Sequence, residues 1–194
     1  MKSYVAQKPT ECSKKTKHTI GRAFLNIAAE VPFNKVSVRE ICKRVGITRT
    51  GFYYHYDNVY AVLNDILENM VVECRIDDLF AAWADSHTRA LDVPCKAAMD
   101  RIYQFSVANQ CDCLLADVML AGYLIDYVIR QEMECVVLQL TGDSGFSEAE
   151  ARRLFRFTFA GMGSLYCGRR QGHGLTDAPA ACPKDSVFQR RYPT

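Results

Sequence analysis

Between Ser37 and Asn58 the chain reads SVREICKRVGITRTGFYYHYDN. One residue of this stretch, Gly46, constrains the fold more than any other. Ser37-x-x-Glu40 is a capping-box pattern that opens a helix. Val38, Ile41, Cys42 and Val45 then follow at i, i+3, i+4 and i+7, one apolar face of that helix. Gly46 stands just past them, where a left-handed C-terminal cap wants glycine. Ile47 restarts the apolar pattern, and Thr48 can cap a third helix of about Arg49 to Tyr56. Two short helices joined by a tight glycine turn make a helix-turn-helix.

Upstream, Ile20, Ala23, Phe24, Ile27, Ala28 and Val31 form the stripe of a first helix, about Ser13 to Glu30. "VPFNK" ends it, with Pro32 and Asn34 as turn residues. Lys14, Lys15 and Lys17 crowd its first turn, where the macrodipole prefers acids. A phosphate backbone near that end accounts for them, and so does a plain solvated basic terminus.

The third helix holds five aromatic or His residues in a row, Phe52 to Tyr56. Phe52 and Tyr56, four apart, can turn into the three-helix core. Arg49, Thr50, Tyr53, Tyr54 and His55 are then left near the other side. In a helix-turn-helix the later helix enters the major groove. Tyr hydroxyls and a His N–H donate well to phosphate oxygens, and the Arg49 fork can reach a guanine edge. Gly51 lets the backbone approach a thymine methyl or the groove wall. Residues 1–60 carry 11 Lys and Arg against 4 Asp and Glu, a balance of +7; residues 61–194 carry 13 against 18, or −5. A basic head on an acidic body points the head alone at a polyanion.

Over about Lys14 to Leu67 the chain resembles the TetR family of one-component transcriptional regulators. "FLNIAAE", "SVREICKRVG" and "ITRTGFYYHYDN" carry the likeness. The resemblance implies that Arg39 contacts backbone or base, that Arg49 and Thr50 read the groove, and that Tyr53 and His55 clamp phosphates. Lys14, Ser37, Thr48, Gly51 and Tyr54 complete the expected DNA-facing set. Two positions depart from the family: Gly51 where Thr is usual, and Val59 where Lys often reaches a phosphate. The fold class expected is all-α: a three-helix head, residues 1–57, on a helical-bundle body, 58–172, that binds a ligand and dimerises, with a loose tail at 173–194.

In the body, one helix is expected from Asn58 to about Trp83, then helices at about 95–109, 112–119 and 121–141. Ser147-x-x-Glu150 is a second capping box, and it opens a last helix reaching about Gln171. "RLFRFTFAGMGSLYCG" is apolar nearly all round, which fits burial on more than one side. Gly161, Gly163, Ser164 and Leu165 are the expected dimer contacts, since the resemblance implies dimers through the last two long helices. Tyr103, Met119, Tyr123, Tyr127, Phe155, Phe159 and Met162 are candidates for an effector cavity between the helix of Tyr123 and the last helix. Plain core packing explains the same spacing.

The nine cysteines include no C-x-x-C pair, and there is no leader-like apolar segment or membrane span. They read as reduced, small hydrophobes of a cytoplasmic protein. No catalytic motif, metal or cofactor is expected. The function expected is a homodimeric repressor on double-stranded operator DNA, released by a small molecule. The alternative is a TetR-shaped ligand-binding or thiol- or metal-sensing dimer, using Cys111 and Cys113, with weak or no specific DNA binding.

Overall fold

The computed structural model describes residues 11–86, 90–143 and 145–167. Among these, every regular element is helical: α1 Glu11–Glu30, a 3₁₀ turn at Phe33–Lys35, α2 Val38–Val45, α3 Arg49–Tyr53, α4 Val59–Glu73, α5 Ile76–Asp85, α6 Asp92–Ala108, α7 Cys113–Ala116, α8 Val118–Asp143 and α9 Glu148–Ser164. No described helix is long and apolar enough to cross a membrane. The chain divides into two compact units within α4, between Asn64 and Asp65. The expected tail, 173–194, lies outside the described residues.

In the first unit, α1 buries Ile20, Ala23, Phe24, Ile27 and Ala28, the stripe expected from spacing. Phe33 packs edge-on against Phe24 at 6.1 Å and against Tyr60 at 5.4 Å. Glu30 at the end of α1 accepts both arms of the Arg44 guanidinium at 2.9 Å, tying α1 to α2. Ser37 Oγ accepts from the Glu40 N–H, and Gly46 closes α2 at φ 76° with its N–H on Cys42 O. A Cβ at Gly46 would meet nothing within 4 Å. Glycine is therefore needed for its backbone torsion and not for space.

Thr48 Oγ1 caps α3 by accepting from the Gly51 N–H at 3.0 Å. The helix is shorter than its expected reach to Tyr56. It ends at Tyr53, and the chain tightens as the N–H groups of His55 and Tyr56 both bond to Phe52 O. Asn58 Oδ1 then caps α4 through the Ala61 N–H at 3.0 Å.

The second unit departs from expectation at two boundaries. The single helix from Asn58 to Trp83 is in fact two, broken at Cys74–Arg75, where Arg75 takes φ 50°. The break frees the carbonyls of Cys74 and Arg75, and Arg101 Nη1 of α6 donates to both, at 3.0 and 3.1 Å. A buried carbonyl needs such a donor, and here a distant residue supplies it. The second boundary lies at Asp117 and not near residue 120. Asp117 Oδ1 accepts from the N–H groups of Met119 and Leu120, capping α8 at its start.

The body core gathers Phe80, Phe155 and Phe159, all fully buried, with Phe155 edge-on to Phe80 at 5.5 Å and to Phe159 at 5.8 Å. Each such ring removed from water contributes about 1.5–3 kcal/mol. At Ser147 the expected capping box is present in both directions. The described part of the last helix ends at Ser164; residues 168–171, in its expected last turn, lie outside the described residues.

Candidate nucleic-acid interface

α3 and the turn after it separate their side chains as the amphipathic run predicts. Phe52 and Tyr56 are buried, at 0% and 5% exposure, while Tyr53 and Tyr54 are 54% and 81% exposed. Arg49 and Thr50 are exposed at the start of α3, and Gly51 is half-buried behind the Thr48 cap. The Tyr53 ring stands edge-on against Phe52 at 5.6 Å, and Tyr54 against His55 at 5.0 Å. Each exposed tyrosine ring thus rests against one neighbouring ring. Lys14 and Lys15 of α1 and Arg39 and Lys43 of α2 are exposed, as is the Ser37 cap.

His55 is held differently from the tyrosines. Its Nδ1 lies 3.4 Å from Ser13 Oγ of α1. Burial, and then the charge of Lys17, lower its pKa below the ordinary imidazole value. Lys17 itself rests over the Tyr56 ring, 4.8 Å from the centroid. Sequence reasoning singled out His55 and Lys17 but not Ser13. The i, i+4 spacing of Ser13 and Lys17 shows only that they share a face; their partners sit some forty residues away.

The described contacts of the body candidates lie on several helix faces. Gly163 lies in contact with α8: a Cβ there would come 2.5 Å from Cδ1 and 2.9 Å from Cγ1 of Ile125. Tyr123 and Tyr127 are each two residues from Ile125, so at roughly 100° per residue they point away from that contact. The charge of Glu68 on α4 raises the Tyr127 pKa after burial, and the Tyr127 hydroxyl bonds to Gln131. Phe155 and Phe159 belong to the core beside Phe80. Tyr123 and Tyr127 therefore stand on a different face of α8 from Ile125, while Phe155 and Phe159 pack beside Phe80. Tyr103, 40% exposed, stacks at a tilt near Tyr166, whose hydroxyl donates to Asp100. Met119 is 46% exposed at the start of α8, and Met162 is half-buried.

The expected dimer residues also divide. Gly163 uses its small size inside the chain, against Ile125. Gly161, Ser164 and Leu165 are exposed, and a Cβ at Gly161 meets nothing within 4 Å. Phe157, 80% exposed, and Ala160 share that outward side of α9. From Leu154 the helix is apolar nearly all round, as read, and among the described residues its Ala151–Phe155–Phe159–Gly163 face is the buried one.

Glu132 of α8 was missed entirely. It is only 5% exposed, and burial, with the nearby charge of Asp77, pushes its pKa up to about 7. In sequence it is one acid among many on a long helix. Cys111 and Cys113 are both buried, and burial pushes the Cys113 thiol up to about 11. A thiol so held stays protonated at neutral pH and is a poor nucleophile or metal ligand. Among the described residues no cluster of three His, Cys, Asp or Glu is arranged to hold a metal.

Residues 22–66 match the sequence family described as bacterial regulatory proteins, tetR family. A solved structure of the fatty acid degradation regulator FadR from Bacillus halodurans is similar in chain path. It has 18% identity and a TM-score of 0.48, over 78% of this chain and 82% of that one. No curated protein matches the chain.

Proposed function

From a head of the tetR family of bacterial regulatory proteins, we propose that this transcriptional regulator is a dimeric repressor, released from its operator by a small molecule bound in the helical body. One observation carries the DNA-binding half. A helix opened by Thr48 and turned in by Gly46 seals itself with Phe52 and Tyr56, and leaves Arg49, Thr50, Tyr53 and Tyr54 outward. Arg49 and Thr50 read base edges, while Tyr53, His55 and Lys14 meet phosphates. Residues 1–57 act as the DNA-binding domain and 58–172 as the body. The activity is binding and not catalysis.

Dimerisation uses the uncovered side of α9, where Phe157, Gly161, Ser164 and Leu165 fall at i, i+4, i+7 and i+8. A two-fold pair of heads then addresses half-sites about one helical turn apart, or a multiple of it. An effector that favours the DNA-incompetent arrangement draws the population off the operator. Burial of Cys111 and Cys113 weighs against the thiol- or metal-sensing reading.

The test is selection of duplexes by the full chain from a random pool, followed by affinity against salt. A preferred, two-fold related sequence and a steep linear fall of log K with log salt are expected. A shallow slope with no preferred sequence overturns the reading. Gly161→Leu tests the dimer: with open space around Gly161 within the chain, the folded monomer tolerates it. Sedimentation should show loss of the dimer, and an unchanged dimer places the interface elsewhere.

A further inference from the structure

Ser13 and Lys17 stand one turn apart on α1 and reach two consecutive residues after α3. Ser13 Oγ meets His55 Nδ1 at 3.4 Å, and Lys17 Nζ lies over the Tyr56 ring at 4.8 Å. The first two turns of α1 thereby grip the turn that follows α3, the helix read here as the DNA reader.

A neutral imidazole has one N–H and one lone pair, and the bond at one nitrogen decides what the other offers. If the serine hydroxyl donates to Nδ1, the proton must sit on Nε2, which can then donate to a phosphate oxygen. In the opposite tautomer, Nδ1–H donates to Ser13 and Nε2 turns a lone pair toward the phosphate, two acceptors facing each other. The neighbours keep the ring neutral near pH 7: partial burial, and the cation of Lys17 on the adjoining turn of α1, both disfavour a second proton. Tyr54 stands edge-on to the imidazole at 5.0 Å on the ring's own turn.

We propose that Ser13 is a positioning residue for DNA binding, its hydroxyl donating to His55 Nδ1 so that Nε2–H is held ready for a phosphate oxygen. This rests on the DNA-binding reading above. Ser13 touches no DNA in this account; it acts through His55. The consequence is a pH signature that a merely structural serine would lack. In acid the imidazolium carries a proton on both nitrogens, so the tautomer no longer needs choosing and Ser13 loses its role.

The experiment compares the full chain with Ser13→Ala and Ser13→Thr, using a duplex selected from a random pool, at about pH 8 and at an acid pH where nitrogen-15 NMR shows His55 as the imidazolium. Nitrogen-15 NMR of His55 in the free protein reports the tautomer. Expected are Nε2–H in the parent chain and a tautomer mixture in Ser13→Ala. Ser13→Ala should weaken binding about three- to tenfold at the higher pH, the worth of one hydrogen bond, on every duplex alike. The deficit should vanish in acid, and Ser13→Thr should restore affinity and tautomer. A parent His55 in the Nδ1–H form, or a deficit equal at both pH values, overturns the proposal and leaves the DNA-binding reading intact. A parent chain that shows Nε2–H yet binds no duplex sinks both.

Discussion

The two units spend their aromatic residues in opposite ways. In the head, rings are divided between the inside and the outside of one short helix: Phe52 and Tyr56 close the core while Tyr53 and Tyr54 stand in solvent one or two residues away. In the body, Phe80, Phe155 and Phe159 all go to one core, and tyrosines such as Tyr127 settle against polar neighbours of their own chain. The difference teaches where function sits. In the head, the buried Phe52 ring touches both the outward Tyr53 ring and the buried Tyr56 ring, so damage to packing there is damage to the reading face. The body has a deeper core, with one acid, Glu132, buried within it.

The sharpest way to break this contrast is to empty each core in turn. Phe52→Ala and Phe155→Ala should each cost about 3–5 kcal/mol, as fully buried phenylalanines do. Calorimetry and DNA binding should then separate them. Phe52→Ala should abolish DNA binding while the helices of the body persist. Phe155→Ala should melt the body, and equal effects of the two on both measurements would erase the distinction.

A smaller effect belongs to the body alone. Glu132 titrates near 7 in the folded chain against an ordinary 4.5. The folded state therefore binds a proton that the unfolded state releases, so stability falls as pH rises from about 4.5 through 7. The loss is on the order of 3 kcal/mol. Glu132→Gln should flatten the profile and stabilise the body at about pH 8. A parent body equally stable at both ends of that window contradicts the burial argument.

Smaller still are the glycines. Gly163→Ala drives a methyl into Ile125 and should cost about 1–3 kcal/mol. In the folded monomer, at concentrations below dimerisation, Gly161→Ala meets open space and should gain about 0.5–1 kcal/mol from helix propensity. Thermal melts of the two single variants check the sign of each. A stabilising Gly163→Ala would mean that α8 and α9 are not in the contact described.

What was legible follows the same division. The head's boundaries are set by residues within four positions of them: Ser37 with Glu40, Gly46 with Cys42, Thr48 with Gly51. Such signals survive in a single sequence. The Asp117 cap is equally local and was overlooked because the apolar period runs through it. The break at Arg75 depends on Arg101, 26 residues away, and nothing in "ECRID" announces it. The site shows the same pattern. Outward Arg49, Thr50, Tyr53 and Tyr54 came from helical phase, but Ser13 beside His55 and the opposed faces of Tyr127 and Ile125 depend on how helices meet. Periodicity names a face and leaves its neighbour open.

The central claim is that Arg49 reads a base while Tyr53 holds a phosphate. It is tested by measuring Arg49→Ala and Tyr53→Phe against every single-base variant of the selected duplex. Tyr53→Phe should weaken binding to all of them by one common factor. Arg49→Ala should flatten the preference at one base pair by about 1–3 kcal/mol and leave the others in their order. An Arg49→Ala protein that keeps the full sequence preference, merely binding all duplexes less tightly, would contradict the assignment of α3 as the reader.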